Sequence, residues 1–487
     1  MNALNAPFHG VNTPLFSLRT EKSGGIGEFL DLLPFIDWVA TCGFNTIQLL
    51  PINDLGRDAS PYNALSAFAL NPLHLSLDAL PDPPSTAELK VLNELPSVDY
   101  PEVRKIKEAL FESYFTPRLG ELMSHPDYIA FKNQNPWLEG YARFKGLKVA
   151  HNWSAWKDWP NMALTASNIE VEIAVQYYCF KQMEEVKQYA EKKGIFLLGD
   201  LPILVSPDSA DVWEHQEMFD LSLSAGAPPD MYAAEGQKWG FPLYRWESME
   251  TNGYKWWKER LAVSSRLFHL YRIDHIVGFY RIWAIPGEAP AAEGYFVPED
   301  PSVWIEHGEK ILTMMLQNTS MQPIGEDLGI VPPSVRESLT YLGIPGTKVI
   351  RWERDWMGGG RYFDPHHYPW PSLTTLSTHD SEPLAEWWHN APDEAHTYAR
   401  ETGLHYQKTI DFELRREILQ QSHQSGSRFH VNLLTEYLGL IDPIFGWARI
   451  NIPGLVSPEN WSYRYPLTIA EIADNKSLLT TIQGILA

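Results

Sequence analysis

Cysteine is almost absent. Cys42 and Cys179 are the only two in 487 residues, both in apolar surroundings and neither in a C-x-x-C pair. That excludes a disulfide framework and a cysteine-based zinc site. Long apolar runs are missing as well, so no segment is expected to span a bilayer. The first residues, MNALNAPFHG, lack the basic and apolar regions of a signal peptide, and a cytoplasmic location is expected. Positive charge is scarce: Lys and Arg number 39 against 61 Asp and Glu, a net charge of −22 with no long basic run. Neither nucleic acid nor an anionic membrane surface is an expected partner. The chain holds no P-loop, no G-x-G-x-x-G, no G-x-S-x-G elbow and no H-E-x-x-H. Triphosphatase, dinucleotide, serine-hydrolase and zinc-protease chemistries therefore lack a sequence signature. There is no fixed-period repeat and no low-complexity tract.

Aromatic residues, by contrast, are plentiful: 19 Trp, 22 Tyr and 21 Phe. A large core accounts for many of them. Several cluster among polar residues (Trp153, Trp156 and Trp159; Trp256 and Trp257; Trp387 and Trp388), which suits stacking on flat apolar faces, those of sugars included.

Short β-prone runs recur at 44–52, 73–77, 195–203, 267–274, 322–327, 347–352, 372–380 and 429–434. Several are near-continuous apolar runs that end in acids or histidines, the pattern of strands buried on both faces of a parallel sheet. Helical patterns lie between them. Ile173, Tyr177, Phe180, Met183, Val186 and Ala190 recur at three- and four-residue spacing before Gly194, which predicts an amphipathic helix and its glycine stop. Eight strands in this rhythm predict a (β/α)₈ barrel, a fold of about 250 residues, so much of the chain must be insertion. We expect the first barrel strands in 1–79, a helical insertion in 80–165 and the third strand in 166–205. A second insertion, with a loop over the cleft, is expected in 206–262, and the remaining strands in 263–487.

Functional groups of such a barrel gather at the C-terminal strand ends. The candidates are Asp200 and Asp208 after the third strand, Arg272, Asp274 and His275 at the fourth, Glu326 and Asp327 at the fifth, and His379 and Asp380 at the seventh. A single acid at a strand end is usually a cap or an ion-pair partner. Several converging acids repel one another, and a metal, nearby cations or a catalytic role must offset that. Asp200, Asp274, Glu326, Asp380, His275 and His379 could make a metal site of nitrogen and oxygen ligands, but no tight ligand pair is present and no metal is expected. Glycoside chemistry fits better, since a retaining enzyme needs one ionised nucleophile and one acid/base with a raised pKa. Asp274 beside Arg272 suits the first. Glu326 in PIGEDLG suits the second, unless it merely caps the strand and Asp327 is the acid that matters. Asp380 would hold sugar hydroxyls while the ring distorts.

The segments RIDH (272–275), GEDLG (325–329), STHD (377–380) and GDLPILVSPDSADVW (199–213) resemble the four signature regions of the α-amylase superfamily. SPYNALSAFALNP (60–72), GQKWGFPLYRW (236–246) and INIPG (450–454) narrow the resemblance to the 4-α-glucanotransferases of glycoside hydrolase family 77. The resemblance runs from residue 25 to residue 461. It implies a (β/α)₈ barrel with inserted, largely helical subdomains and no C-terminal β-domain. It also implies retaining transfer of an α-1,4-glucan segment from a maltodextrin or glycogen donor to the 4-OH of an acceptor, without a cofactor. The expected partners are maltooligosaccharides, glycogen or starch. Matched residue by residue, Asp274 takes the nucleophile position, Glu326 the acid/base position and Asp380 the stabiliser position. Arg272, His379 and Asp208 match sugar-binding positions. Ser60 and Tyr62 belong to the SPY motif, whose tyrosine would stack on a sugar. Gln237 and Trp239 would lie on a mobile loop over the cleft and Asn451 near its rim. Two departures stand out: Ser381-Glu382-Pro383 after THD, where the family has Asn, an acid and Thr, and Phe241, where some relatives have Asn. A hydrolase passing the glycosyl group to water, or a glucan-binding protein that has lost catalysis, are the alternatives. Nothing in the sequence signals an oligomeric state.

Overall fold

The barrel begins at the residues the sequence pattern passes over. In the computed structural model, which describes residues 6–160, 166–229, 234–356 and 358–487, the first strand is β1, Phe8–Thr13. It is followed by β2, Thr46–Leu49, β3, Phe196–Leu201, β4, Leu270–Ile273, β5, Gln322–Gly325, β6, Gly346–Val349, β7, Ser372–Thr375, and β8, Phe429–Leu433. All pair in parallel in the order β5-β4-β3-β2-β1-β8-β7-β6. The run 73–77 is not a strand. Pro72 and the Asn71 side chain, which accepts from the Leu73 amide at 3.1 Å, start a 3₁₀ turn there, and a second 3₁₀ turn follows at Leu77–Ala79. Parts of the two expected insertions, 161–165 and 230–233, lie outside the described residues.

The ladder stops between β5 and β6, and side chains take over part of its work. The Gly325 amide donates to the Pro345 carbonyl at 2.7 Å. Thr347 Oγ1 donates to the Gly325 carbonyl at 2.9 Å, and the Thr347 amide donates to Asp327 Oδ1 at 2.7 Å. The carboxylate thus stands in for a strand carbonyl, and Gly346 leaves it room: a Cβ there would sit 2.7 Å from Asp327 Oδ1.

Strand periodicity sorts the side chains. Phe8, Leu198, Leu270, Ile324, Leu373, Phe429 and Val431 form one buried cluster that fills the barrel. Val11, Ile47, Leu197, Tyr271 and Ile273 face the surrounding helices. The expected amphipathic helix is Ala166–Lys193, with its six periodic apolar residues buried and Gly194 at φ 71° after it. Helices also occupy much of 87–150. An antiparallel sheet of Leu223–Ala227, Gln237–Lys238, Ile282–Pro286 and Tyr295–Val297 was not legible as strands.

Between β1, β8 and the helix Phe412–His423 lies a histidine stack. The His9 and His430 rings are parallel at 4.8 Å, His9 Nδ1 is 2.9 Å from His423 Nδ1, and His423 Nε2 is 2.6 Å from the Tyr437 hydroxyl. Burial lowers the pKa of all three, His430 to about 4 and His423 well below its ordinary value. Among the described residues, no helix is long and apolar enough to cross a membrane.

Candidate active site

The same periodicity places charge at the top of the barrel interior. Leu198 and Leu270 face inward, so Asp200, Arg272 and Asp274, at two-residue steps beyond them, do too. Ile324 leads to Glu326 in the same way. Buried charges persist when they are paired, and here one guanidinium pairs with several acids. Arg272 Nη1 lies 2.7 Å from Asp200 Oδ2. Its Nη2 lies 3.0 Å from Asp274 Oδ1 and 3.9 Å from Glu326 Oε2. Burial works against the charge of Arg272, but the carboxylates around it raise its pKa well above the ordinary value.

Glu326 is held by the backbone. His275 N donates to Oε2 at 2.8 Å and Leu328 N to Oε1 at 3.0 Å. Burial, opposed by Arg272 and reinforced by Asp274, pushes its pKa up to about 7. His275 itself adopts φ 48°, ψ 52°. That left-handed conformation costs a non-glycine residue about 1–3 kcal/mol. Burial lowers the imidazole of His275 to about 4, so it is neutral at pH 7.

Asp380 sits in the open cleft, walled by protein but with nearly half of its side chain accessible. His379 Nε2 is 3.1 Å from Asp380 Oδ2, out of line for a hydrogen bond and without another partner. Asn451 Nδ2 donates to Oδ1 at 2.6 Å. Burial would raise the Asp380 pKa, but His379 and Asn451 outweigh it and hold it at about 2. His379 moves the other way. Burial lowers it, Asp380 more than compensates, and the net shift is upward. Tyr62 donates to Asp200 Oδ2 at 2.8 Å and stacks on the His379 ring at 5.2 Å. Ser60 Oγ faces the Tyr62 amide at 3.4 Å.

The structure therefore brings Asp274, Glu326, Asp380, Arg272, His379, Tyr62 and Asn451 together. Asp208 is not with them. Its carboxylate takes Lys148 Nζ at 2.6 Å and the Trp156 amide at 3.2 Å. The third-strand acid that pairs with Arg272 is Asp200, which lies on the inward face of β3, whereas Asp208 lies beyond the strand. Trp239 packs edge-on against His275 at 4.9 Å, and its Nε1 donates to Gln237 Oε1 at 3.0 Å. Gln237 belongs to a short strand paired with Gly226–Ala227. Asp327 is engaged at the β5–β6 seam, which leaves Glu326 as the fifth strand's acid facing the cleft. One member escaped the sequence reading, and His275, named at the strand end, was given a role only as a metal ligand. Trp461, at φ 62°, flanks Tyr62 and His379 at 5.8 Å each. Periodicity carried from Leu198 puts Asp200, already a strand-end candidate, on the inward face, but no local pattern signals Trp461.

A family model described as 4-alpha-glucanotransferase matches residues 13–468. The chain belongs to the 4-alpha-glucanotransferase family. The 4-alpha-glucanotransferase of Chlamydia muridarum (strain MoPn / Nigg) is 41% identical over 497 residues, covering 97% of this chain and 94% of its own. That of Thermus thermophilus is 31% identical over 468 residues, covering 88% and 89%. Among solved structures, an amylomaltase from Streptococcus agalactiae in complex with acarbose superimposes with a TM-score of 0.83 at 23% identity over 98% of both chains, a likeness of fold. As a 4-alpha-glucanotransferase, the protein transfers glucan segments between α-glucans with retention at the anomeric carbon. The barrel top described above is the one place among the described residues where several inward-facing acids share a cation.

Proposed function

We propose that Asp274 is the nucleophile of this transfer, Glu326 its acid/base and Asp380 the group that steadies the distorted sugar ring. The observation that carries the assignment is the shared Arg272 nitrogen. It faces both Asp274 and Glu326, an arrangement that suits the short carboxyl separation, about 5–5.5 Å, of a retaining pair. Asp274 attacks the anomeric carbon of an α-1,4-linked donor while Glu326 gives its proton to the departing glycosidic oxygen. The bond to the leaving sugar breaks and a glycosyl ester forms on Asp274. An acceptor 4-OH then gives its proton to the Glu326 carboxylate and attacks the same carbon, which frees Asp274. A pKa of about 7 for Glu326 lets it serve in both directions. Asp380, ionised and flanked by His379 and Asn451, accepts hydrogen bonds from ring hydroxyls. Asp200 aligns Arg272 and Tyr62. Trp239 and Gln237 form part of the cleft wall beside His275, and Tyr62 with Trp461 makes an aromatic wall on the side of His379. Maltooligosaccharides, and glycogen or starch chains, are the proposed substrates. The two buried free thiols, Cys42 and Cys179, fit a reducing cytoplasm.

The test uses two donors. Glu326→Gln removes the proton donor, so turnover of maltotriose should fall by about 10³-fold or more. With α-maltosyl fluoride, whose leaving group needs no proton, the variant should still form the glycosyl ester, detectable as a mass increase on the peptide containing Asp274. Equal loss with both donors would assign the acid elsewhere. Wild-type enzyme given maltotriose alone should yield glucose and a ladder of longer oligosaccharides at nearly constant reducing ends.

A further inference from the structure

The turn that carries His379 and Asp380 is fixed at both ends to one buried carboxylate that never meets the cleft. Ser377 Oγ donates to Glu436 Oε1 at 2.8 Å, and the amide of Leu384, first residue of the helix Leu384–Asn390, donates to the same oxygen at 2.9 Å. The other oxygen, Oε2, accepts from Arg415 Nη1 at 2.7 Å. Glu436 is 0% exposed and Arg415 1%. Each comes from a different element. Glu436 lies in the helix Leu434–Leu438 directly after β8, and Arg415 lies in the helix Phe412–His423. Arg415 is itself wedged against Gly439 and Gly446, where an added Cβ would come within 2.7 and 2.4 Å of its side chain. Inside the turn, Ser381 Oγ takes the Thr378 amide at 2.8 Å. Ser381 is the first residue of the segment that departs from the family pattern, and it folds the turn back on itself without displacing Asp380 from Asn451.

We propose that Glu436, backed by Arg415, is a positioning residue for the reaction: it fixes the Ser377–Leu384 turn so that His379 and Asp380 meet the distorted ring. The proposal rests on the roles given to those two residues above. A turn anchored at one point can pivot. Anchored at both ends to one atom, which is itself immobilised by a buried cation, it cannot. Groups that act only on the transition state are the ones for which such precision matters, since a displacement of about 1 Å can cost about 10²-fold in rate.

Removing Glu436 alone would strand a buried cation, so the test compares two neutral pairs. Glu436→Gln with Arg415→Met keeps an acceptor for Ser377 and Leu384, whereas Glu436→Leu with Arg415→Met removes it. Each is measured for kcat and KM with maltotriose and for its urea midpoint. The leucine pair should have a kcat lower than the glutamine pair by about 10²-fold with KM changed only a few-fold. A merely structural role lowers the urea midpoint but leaves the two folded pairs with equal kcat, and that result overturns the proposal. If either pair fails to fold, Ser377→Ala decides: kcat about tenfold lower at unchanged KM supports the anchor, and unchanged kcat overturns it. Asp380→Asn separates the two levels. An active Asp380→Asn overturns the reading of the turn itself, whereas an inert one combined with equal pairs overturns only the anchoring role.

Discussion

Burial and neighbouring groups set the proton states of Glu326 and Asp380, and a pH dependence follows. Glu326 must carry a proton to start the reaction, and burial raises its pKa to about 7. It is protonated below that value and loses the proton above it, so kcat/KM for maltotriose should fall as pH rises through about 7, approaching tenfold per unit. A glycosyl fluoride donor should lack this basic limb in the ester-forming step, and finding the same limb with both donors would remove Glu326 as its source. Asn451 is the second test. Its amide donates to Asp380 at 2.6 Å, and a hydrogen bond to a charged group contributes about 1.5–3 kcal/mol. Asn451→Ala should lower kcat/KM by about 10- to 100-fold while leaving the circular dichroism spectrum unchanged. Unimpaired kinetics would make the contact incidental.

At the scale of elements, the strands that end in acids were legible and the first strand was not. Apolar runs such as 267–274 announce themselves because both faces are buried. Phe8–Thr13 reads FHGVNT, with two apolar side chains, a glycine and polar residues. Gly10 is required because a Cβ there would lie 2.6 Å from the Thr46 carbonyl oxygen. The run 73–77 has the composition of a strand, but Pro72 and the Asn71 cap turn it into 3₁₀ geometry. Asp200 and Asp208 lie eight residues apart in one motif, and only the inward face of β3 distinguishes them. Asp274 and Glu326 were readable as candidates because each directly follows a buried strand, whereas Asp380 lies in the turn beyond Ser372–Thr375. Trp461 depends on chain closure from far away and left no local trace. The β5–β6 seam adds a prediction. Asp327→Ala leaves the buried Thr347 amide unpaired, at about 1–3 kcal/mol, and removes a half-exposed ion pair with Arg336 at 3.2 Å that adds less than about 1 kcal/mol. Urea unfolding should show a loss of about 1–4 kcal/mol, and a loss below about 1 kcal/mol would mean that the other seam contacts close the barrel without the carboxylate.

For the molecule as a whole, the histidine stack couples stability to pH. His423 is neutral in the fold because burial lowers its pKa, whereas in the unfolded chain it titrates near 6.5. The unfolded state therefore takes up a proton first, and the stability contributed by neutral His423 is complete above about 6.5 and lost as pH falls below it. Comparing wild type with His423→Gln cancels the other titrations. The wild type's advantage in urea should shrink by about 1.4 kcal/mol per pH unit between about 6.5 and 5, and a constant difference would exclude a neutral native imidazole. The guanidinium of Arg272 bears on the energetics of the entire catalytic cycle. On the proposed mechanism, Asp274 surrenders its negative charge to the ester in the same step that Glu326 acquires one, and Arg272 faces both. The field at the barrel top is nearly the same before and after, so the free enzyme and the glycosylated enzyme are electrostatically balanced, and neither direction of transfer is favoured by the protein. Each transfer breaks one α-1,4 bond and makes another, so the enzyme changes only how the lengths are distributed. It lets a pool of glucans drift toward the broadest distribution of sizes, with mixing entropy as the driving force.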